Sequence, residues 1–262
     1  FVAGADLHAF SPAPDEATLS ALIDLGHNVF ERLARLPIPS VAAIHGVCLG
    51  GGCELALTCD WRIASTAKVT RIGLPETQLG ILPAWGGSTR LPALIGLPAA
   101  LKMILAGRPV AGSQALRLGL VDDLAPPEYL AAAARALLAR GRRPRAARRL
   151  LHLPPLPALI ARQAHRATLA KTHGHYPAPL RALQVCTEAL GQPVARGFAL
   201  EKEALLHLAR TPACRHLLGL FFLQERARKL TLQELEGIPV KPVRRVAVIE
   251  AARWEAGAPR AC

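Results

Sequence analysis

The sequence predicts an α/β fold. Three observations lead there. Short apolar runs of strand length alternate with segments of helical period through residue 124. After residue 126 the chain turns Ala-, Leu- and Arg-rich and reads as mostly helical. Its 262 residues are 51% hydrophobic, enough to bury a core in one or two domains.

Taken in order, FVAGAD (1–6) starts like a strand and breaks at Gly4. Over 16–35, Leu22, Gly26, Val29, Phe30 and Leu33 share a helical face, and Pro37 and Pro39 close the segment. SVAAIH (40–45) is an apolar run of strand length, followed by Gly46 and the glycine cluster at 50–52. Residues 52–59 suit a short buried helix, with strands at 61–65 and 69–72. Helices are expected over 86–95, 98–105 and 111–118, and a returning strand at 120–124. Residues 127–185 are expected to be mostly helical, and 198–230 to form one or two helices with apolar faces. Gly237, Pro239 and Pro242 mark a linker, and VRRVAVIE (243–250) reads as the opening strand of a new domain. The expected divisions are 1–126, 127–236 and 237–262.

The formal charge is +13, which suits an anionic partner. Much of the excess sits in RGRRPRAARR (140–149), where a solvated basic face is an equally physical account. A nucleic-acid module lacks support: aromatic residues are only 4%, and no DNA- or RNA-binding motif is present. The six cysteines, at 48, 53, 59, 186, 214 and 262, form no CxxC and no zinc spacing, which fits a reducing, cytoplasmic compartment. No signal-peptide pattern is visible. The most apolar stretch, 91–107, holds two prolines and a lysine, too interrupted for a membrane span.

The chemistry concentrates in CLGGGCELALTCD (48–60). Glycines let backbone approach a ligand closely, and N–H groups near Gly51 at a helix start could stabilise an oxyanion. Glu54 falls in that first turn, where a carboxylate also simply favours the helix dipole. The segment has no GK[ST] for a P-loop and breaks the GxGxxG pattern at Leu55. A second carboxylate, Glu76, follows Pro75 in IGLPETQLGILP, at an expected strand-to-loop transition.

The ordered set FVAGAD, AAIHGVCLGGGCELALTCDWRIAS, IGLPETQLGILPAWGGSTRLPALIG and AGRPVAGSQALRLGLVDDL resembles the crotonase (enoyl-CoA hydratase/isomerase) superfamily over about residues 1–125. KTHGHYPAPLRALQVCTEAL (171–190) and the segment 197–229 resemble the large alpha subunit of the bacterial fatty-acid oxidation complex. That protein fuses a crotonase domain to a 3-hydroxyacyl-CoA dehydrogenase. The resemblance implies a ββα spiral core and an enoyl-CoA hydratase acting on an acyl-CoA thioester, with no metal and no cofactor. By position, Ala5 and Gly51 match the two backbone N–H donors of the oxyanion hole. Glu54 and Glu76 match the catalytic carboxylates that hold and activate water, with Glu76 delivering the proton to C2. The family also implies a thiolase subunit or further copies of the chain as partners. Δ3-Δ2-enoyl-CoA isomerisation is the alternative activity, and an inactive fragment the other. Which basic residues bind coenzyme A is unassigned. Arg90 and His45 read as structural, His45 as a core histidine, and Asp6 as a local turn residue.

Two departures from the family stand out. Strands that precede AGAD in the family are absent from this sequence, and part of the coenzyme A site with them. At the other end, EAARWEAG replaces the GxGxMGxG expected after VRRVAVI, so the Rossmann unit is incomplete and no NAD-dependent activity is expected. A reading-frame slip near Ile249 would account for it, since a Gly-Thr-Met-Gly run read one base over encodes Ala-Arg-Trp, as at 252–254.

Overall fold

A computed structural model of the chain describes residues 1–4, 15–143 and 156–229. Helix α1 (Glu16–Ala34) is capped by Asp15, whose carboxylate accepts the Thr18 N–H at 2.8 Å. Then come β1 (Val41–Ile44), β2 (Val47–Leu49) and α2 (Gly51–Thr58), followed by β3 (Trp61–Ser65) and β4 (Arg71–Gly73). A 3₁₀ turn at Glu76–Leu79 leads to α3 (Gly87–Ile95), α4 (Leu97–Ala106), β5 (Val110–Ala111), α5 (Gly112–Leu118) and β6 (Asp123–Ala125). The described remainder is helical: α6 (Leu130–Leu138), α7 (Leu156–Thr172), α8 (Pro177–Glu188), α9 (Val194–Ala209) and α10 (Pro212–Lys229).

The strands form two three-stranded sheets, in the orders β1-β3-β6 and β2-β4-β5. The first is parallel throughout, while β5 runs antiparallel to β4 in the second. The chain therefore lays one strand in each sheet before each helical excursion: β1 and β2 before α2, β3 and β4 before α3. That alternation is the ββα spiral expected of a crotonase core. Only His45 and Gly46 separate β1 from β2, so the switch between sheets is a single tight turn. The main core fills the space between the sheets and α2, α3, α4 and α8, with Ile44, Ile72, Leu74, Leu82 and Leu91 fully buried. Each such side chain stabilises the fold by about 1.5–3 kcal/mol relative to exposure. A second cluster joins α1, α9 and α10 through Leu19, Ile23, Ile81, Leu205 and Leu218. A third packs α6 on the first sheet through Ile63, Ala134 and Leu137.

The returning strand starts later than the 120–124 expected. The guanidinium of Arg62, buried in β3, takes the Leu120 carbonyl at 2.9 Å, and Asp122 Oδ2 accepts the Arg62 N–H at 2.8 Å. Residues 120–122 are thus spent on Arg62, and pairing with β3 begins at Asp123. Three short elements escape the sequence reading: the three-residue β2, the 3₁₀ turn after Pro75 and the two-residue β5, whose Ala111 was expected to open a helix. His45 is not a core residue: it is exposed at the end of β1, and its Nδ1 meets Ser65 Oγ at 3.0 Å. Arg90 is structural, as expected, with Nη2 donating to Glu31 at 2.9 Å.

By internal packing the chain divides into residues 1–222 and 223–262. In the second unit, residues 223–229 are helical, with Arg228 Nη1 3.5 Å from Glu225 Oε1. Ala5, Asp6 and the strand expected at 243–250 lie outside the described residues. Among the described residues no helix is long and apolar enough to cross a membrane.

Candidate active site

The site forms where β2 turns into α2. Gly50 precedes the helix at φ 54°, ψ −130°, a conformation that side chains rarely adopt. No side chain among the described residues caps this helix end, so its first N–H groups, Gly51 among them, have no side-chain acceptor there. The Val2 carbonyl accepts the Leu49 N–H at 3.1 Å, which lays residues 1–4 along β2. A Cβ on Gly4 would lie 3.2 Å from the Leu49 carbonyl oxygen and 3.7 Å from the Gly51 nitrogen, on a backbone with φ 105° that side chains rarely adopt.

Glu54 is buried in the first turn of α2. Its Oε1 accepts the N–H of Trp85 at 2.7 Å and of Gly87 at 2.8 Å, both from the turn that starts α3. Burial, and next the nearby Glu201 charge, push Glu54 up to about 8, against the pull of those two donors. Glu76 opens the 3₁₀ turn after Pro75 and sits over Gly50, where an added Cβ would be 3.1 Å from Glu76 Oε1. Its Oε2 is buried with no hydrogen-bond partner among the described residues. Burial first, and then the charge of Glu54, raise Glu76 well above the ordinary carboxyl range.

Both carboxyls, Gly4, Gly50 and Gly51 line one cavity of about 320 Å³. The rest of its wall is mostly apolar, including Leu19, Ile23, Leu79, Leu205 and Phe221. The structure thus gathers three of the four residues singled out in the sequence: Gly51, Glu54 and Glu76. No lysine or arginine is among the described residues lining the cavity. No three His, Cys, Asp or Glu side chains among the described residues are grouped to hold a metal ion.

Sequence reasoning missed the partners of Glu54. The Trp85–Thr89 turn read only as the start of a helix. Glu201, fully buried in α9, was passed over. A signal existed: Gly197, Leu200, Glu201, Ala204, Leu205 and Leu208 follow helical spacing, and all are buried. A carboxylate on such a stripe needs buried partners.

Residues 1–152 match the family described as enoyl-CoA hydratase/isomerase. The chain belongs to that family. Solved structures agree on the fold. The human mitochondrial delta3-delta2-enoyl-CoA isomerase superimposes with a TM-score of 0.62 at 24% identity, over 87% of this chain and 77% of that one. An enoyl-CoA hydratase from Geobacillus kaustophilus HTA426 gives 0.50 at 26% identity, over 86% and 73%. DspI of Pseudomonas aeruginosa gives 0.50 at 28%, over 91% and 73%. The enoyl-CoA hydratase/isomerase family places the chain among the enzymes of the crotonase superfamily.

Proposed function

We propose that the chain is an enoyl-CoA hydratase, adding water across trans-2-enoyl-CoA thioesters in fatty-acid β-oxidation. The observation that carries this reading is the pairing of Glu54 and Glu76 in one cavity beside the Gly51 N–H, the first oriented by backbone donors and the second with an oxygen free to reach a ligand. The thioester oxygen is bound by the Gly51 N–H, and by the Ala5 N–H as the family resemblance implies. A water sits between the carboxyls. Its oxygen attacks C3 as Glu54 takes one of its protons. Enolate charge develops on the thioester oxygen, against the backbone donors. Glu76 then gives its proton to C2, and the proton held by Glu54 restores the pair. The sum is H on C2 and OH on C3. Two neighbouring buried carboxyls suit these roles in the form where Glu54 is ionised and Glu76 protonated, one as base and one as acid. The mostly apolar cavity wall suits an acyl chain. The resemblance of 171–190 and 197–229 to the fatty-acid oxidation alpha subunit supports the β-oxidation assignment and a thiolase or a further copy as partner.

The test is turnover of crotonyl-CoA against a 3-enoyl-CoA of equal length. Formation of 3-hydroxybutyryl-CoA is expected, and its loss by about 100-fold or more in Glu54→Gln. Turnover of the 3-enoyl-CoA alone would assign the isomerase reaction instead.

A further inference from the structure

Four backbone N–H groups at the start of α3 are claimed alternately by two carboxylates from different helices. Trp85 and Gly87 donate to Glu54 Oε1. Gly86 donates to Glu201 Oε2 at 2.8 Å, and Thr89 to Glu201 Oε1 at 2.8 Å. The Thr89 hydroxyl adds a third donor to Glu201 at 2.7 Å, and His27 Nε2 of α1 lies 3.3 Å from Oε2. The first N–H groups of a helix have no carbonyl of their own, and no side chain of the turn itself caps this end. Glu54 supplies acceptors on one side and Glu201 on the other.

Glu201 is 0% exposed, and burying a carboxylate costs several kcal/mol unless donors compensate. Packing alone would favour an apolar side chain at this place in α9, between Leu200 and Ala204. What the carboxylate adds is a second set of fixed points on the turn. The turn is held further by Arg90, whose Nη1 donates to the Trp85 carbonyl at 3.2 Å and whose guanidinium carbon lies 4.9 Å above Phe198. Phe198 in turn stacks on His27, with ring centroids 4.1 Å apart.

We propose that Glu201 is a positioning residue for Glu54: by gripping Gly86 and Thr89 it fixes the Trp85 and Gly87 donors that aim the Glu54 carboxyl at the substrate. This rests on the reading of Glu54 as a group acting on substrate. The two carboxyls are also coupled by charge. After burial, the Glu201 charge is the largest influence raising Glu54. Among the described residues, the other titratable or charged groups facing the pair are His27 and Glu31 from α1, Cys53 from α2, Glu76 from the 3₁₀ turn, Arg90 from α3 and Cys186 from α8.

The experiment uses the full chain with Glu201→Gln and Thr89→Val. The titration of the Glu54 carboxyl is followed by ¹³C NMR, its signal assigned by its loss in Glu54→Gln. Turnover of crotonyl-CoA is measured alongside. In Glu201→Gln the Glu54 midpoint is expected to fall by about one pH unit, because a negative charge has left its neighbourhood. Crotonyl-CoA kcat is expected to fall about 10-fold or more with KM changed by less than about 3-fold, the pattern of a misaimed catalytic group. An unchanged midpoint with unchanged kcat in a folded Glu201→Gln protein overturns the proposal. Should that variant not fold, Thr89→Val decides: it removes one donor to Glu201 and no charge. A kcat loss of about 3-fold or more at constant KM supports the grip, and parental kinetics overturn it. If the parent chain does not hydrate crotonyl-CoA, the hydratase reading fails, while the Glu54 midpoint still reads the coupling to Glu201.

Discussion

The Gly87 N–H points at Glu54 Oε1 from 2.8 Å, and a Cβ on Gly87 would stand 2.9 Å from the same oxygen. The residue that orients the carboxyl therefore leaves no room for a side chain. Gly87→Ala must displace either Glu54 or Pro83, whose Cβ lies 2.7 Å from the added carbon. Pro83 is a rigid ring, so Glu54 is the group that yields. We expect kcat for crotonyl-CoA to fall about 100-fold, since a shift of about 1 Å in a reacting group costs that much. Far-ultraviolet circular dichroism should match the parent. Parental kcat in Gly87→Ala would show that Glu54 is not aimed by this contact.

Glu54 also makes stability depend on pH, with a sign opposite to that of a salt-bridged carboxylate. Its folded value, about 8, lies above its ordinary 4.5. Below about pH 4.5 the group is protonated folded and unfolded, and its burial carries no ionisation cost. Between there and pH 8 the unfolded chain has lost the proton while the folded chain retains it, so stability falls as pH rises. Above 8 both states are ionised and the cost is constant. Glu54→Gln keeps a neutral oxygen for Trp85 and Gly87 at every pH. Its melting temperature relative to the parent should therefore climb between pH 5 and pH 8. Each pH unit of separation is worth about 1.4 kcal/mol, and each kcal/mol about 2–4 °C in a chain of this size. Calorimetry at the two pH values checks this, and a gap that stays constant contradicts it.

The other wall of the site depends on residues 1–4 staying against α2. A Cβ on Gly52 would sit 2.1 Å from the Val2 carbonyl oxygen, far inside contact distance. Gly52→Ala should push that segment off β2 and break its bond to the Leu49 N–H. The main core does not depend on these four residues, of which Phe1, Val2 and Ala3 are exposed. The expected result is a folded protein whose kcat drops about 100-fold, the scale of losing one oxyanion donor. A loss of melting temperature without a loss of kcat would separate the segment from the site.

What the sequence disclosed and what it withheld follow from range. Gly51, Glu54 and Glu76 were legible because each is embedded in a local pattern of glycine or proline. Strands β1, β3 and β4 were legible from short apolar runs, while β2 and β5, at three and two residues, are too short to show a period. The late start of β6 was not, because it depends on Arg62 reaching Leu120 and Asp122 across nearly sixty positions. The grip of Glu201 on Gly86 and Thr89 spans more than a hundred positions. No window of helical or strand period contains both ends of such a contact. His45 misled for a related reason: its apolar neighbours face the core, while the residue itself sits past the end of the strand.

The free oxygen of Glu76 separates the two reactions open to this site. Hydration needs a group to take a proton from water and another to protonate C2. Moving a double bond from C3 to C2 needs one group that removes a proton from C2 and returns one to C4. Glu54 Oε1 is committed to two backbone donors, whereas Glu76 Oε2 has no partner among the described residues. On the proposed reading, Glu76 is the carboxyl that carries a proton to and from C2. Glu76→Gln should abolish both reactions by about 100-fold or more, whereas Glu54→Gln should abolish hydration and spare most 3-enoyl-CoA isomerisation. Exchange of the C2 hydrogen with deuterated solvent, read by mass spectrometry on the recovered thioester, gives the same division without relying on net turnover. If Glu76→Gln still exchanges at C2 and Glu54→Gln does not, the two roles are reversed.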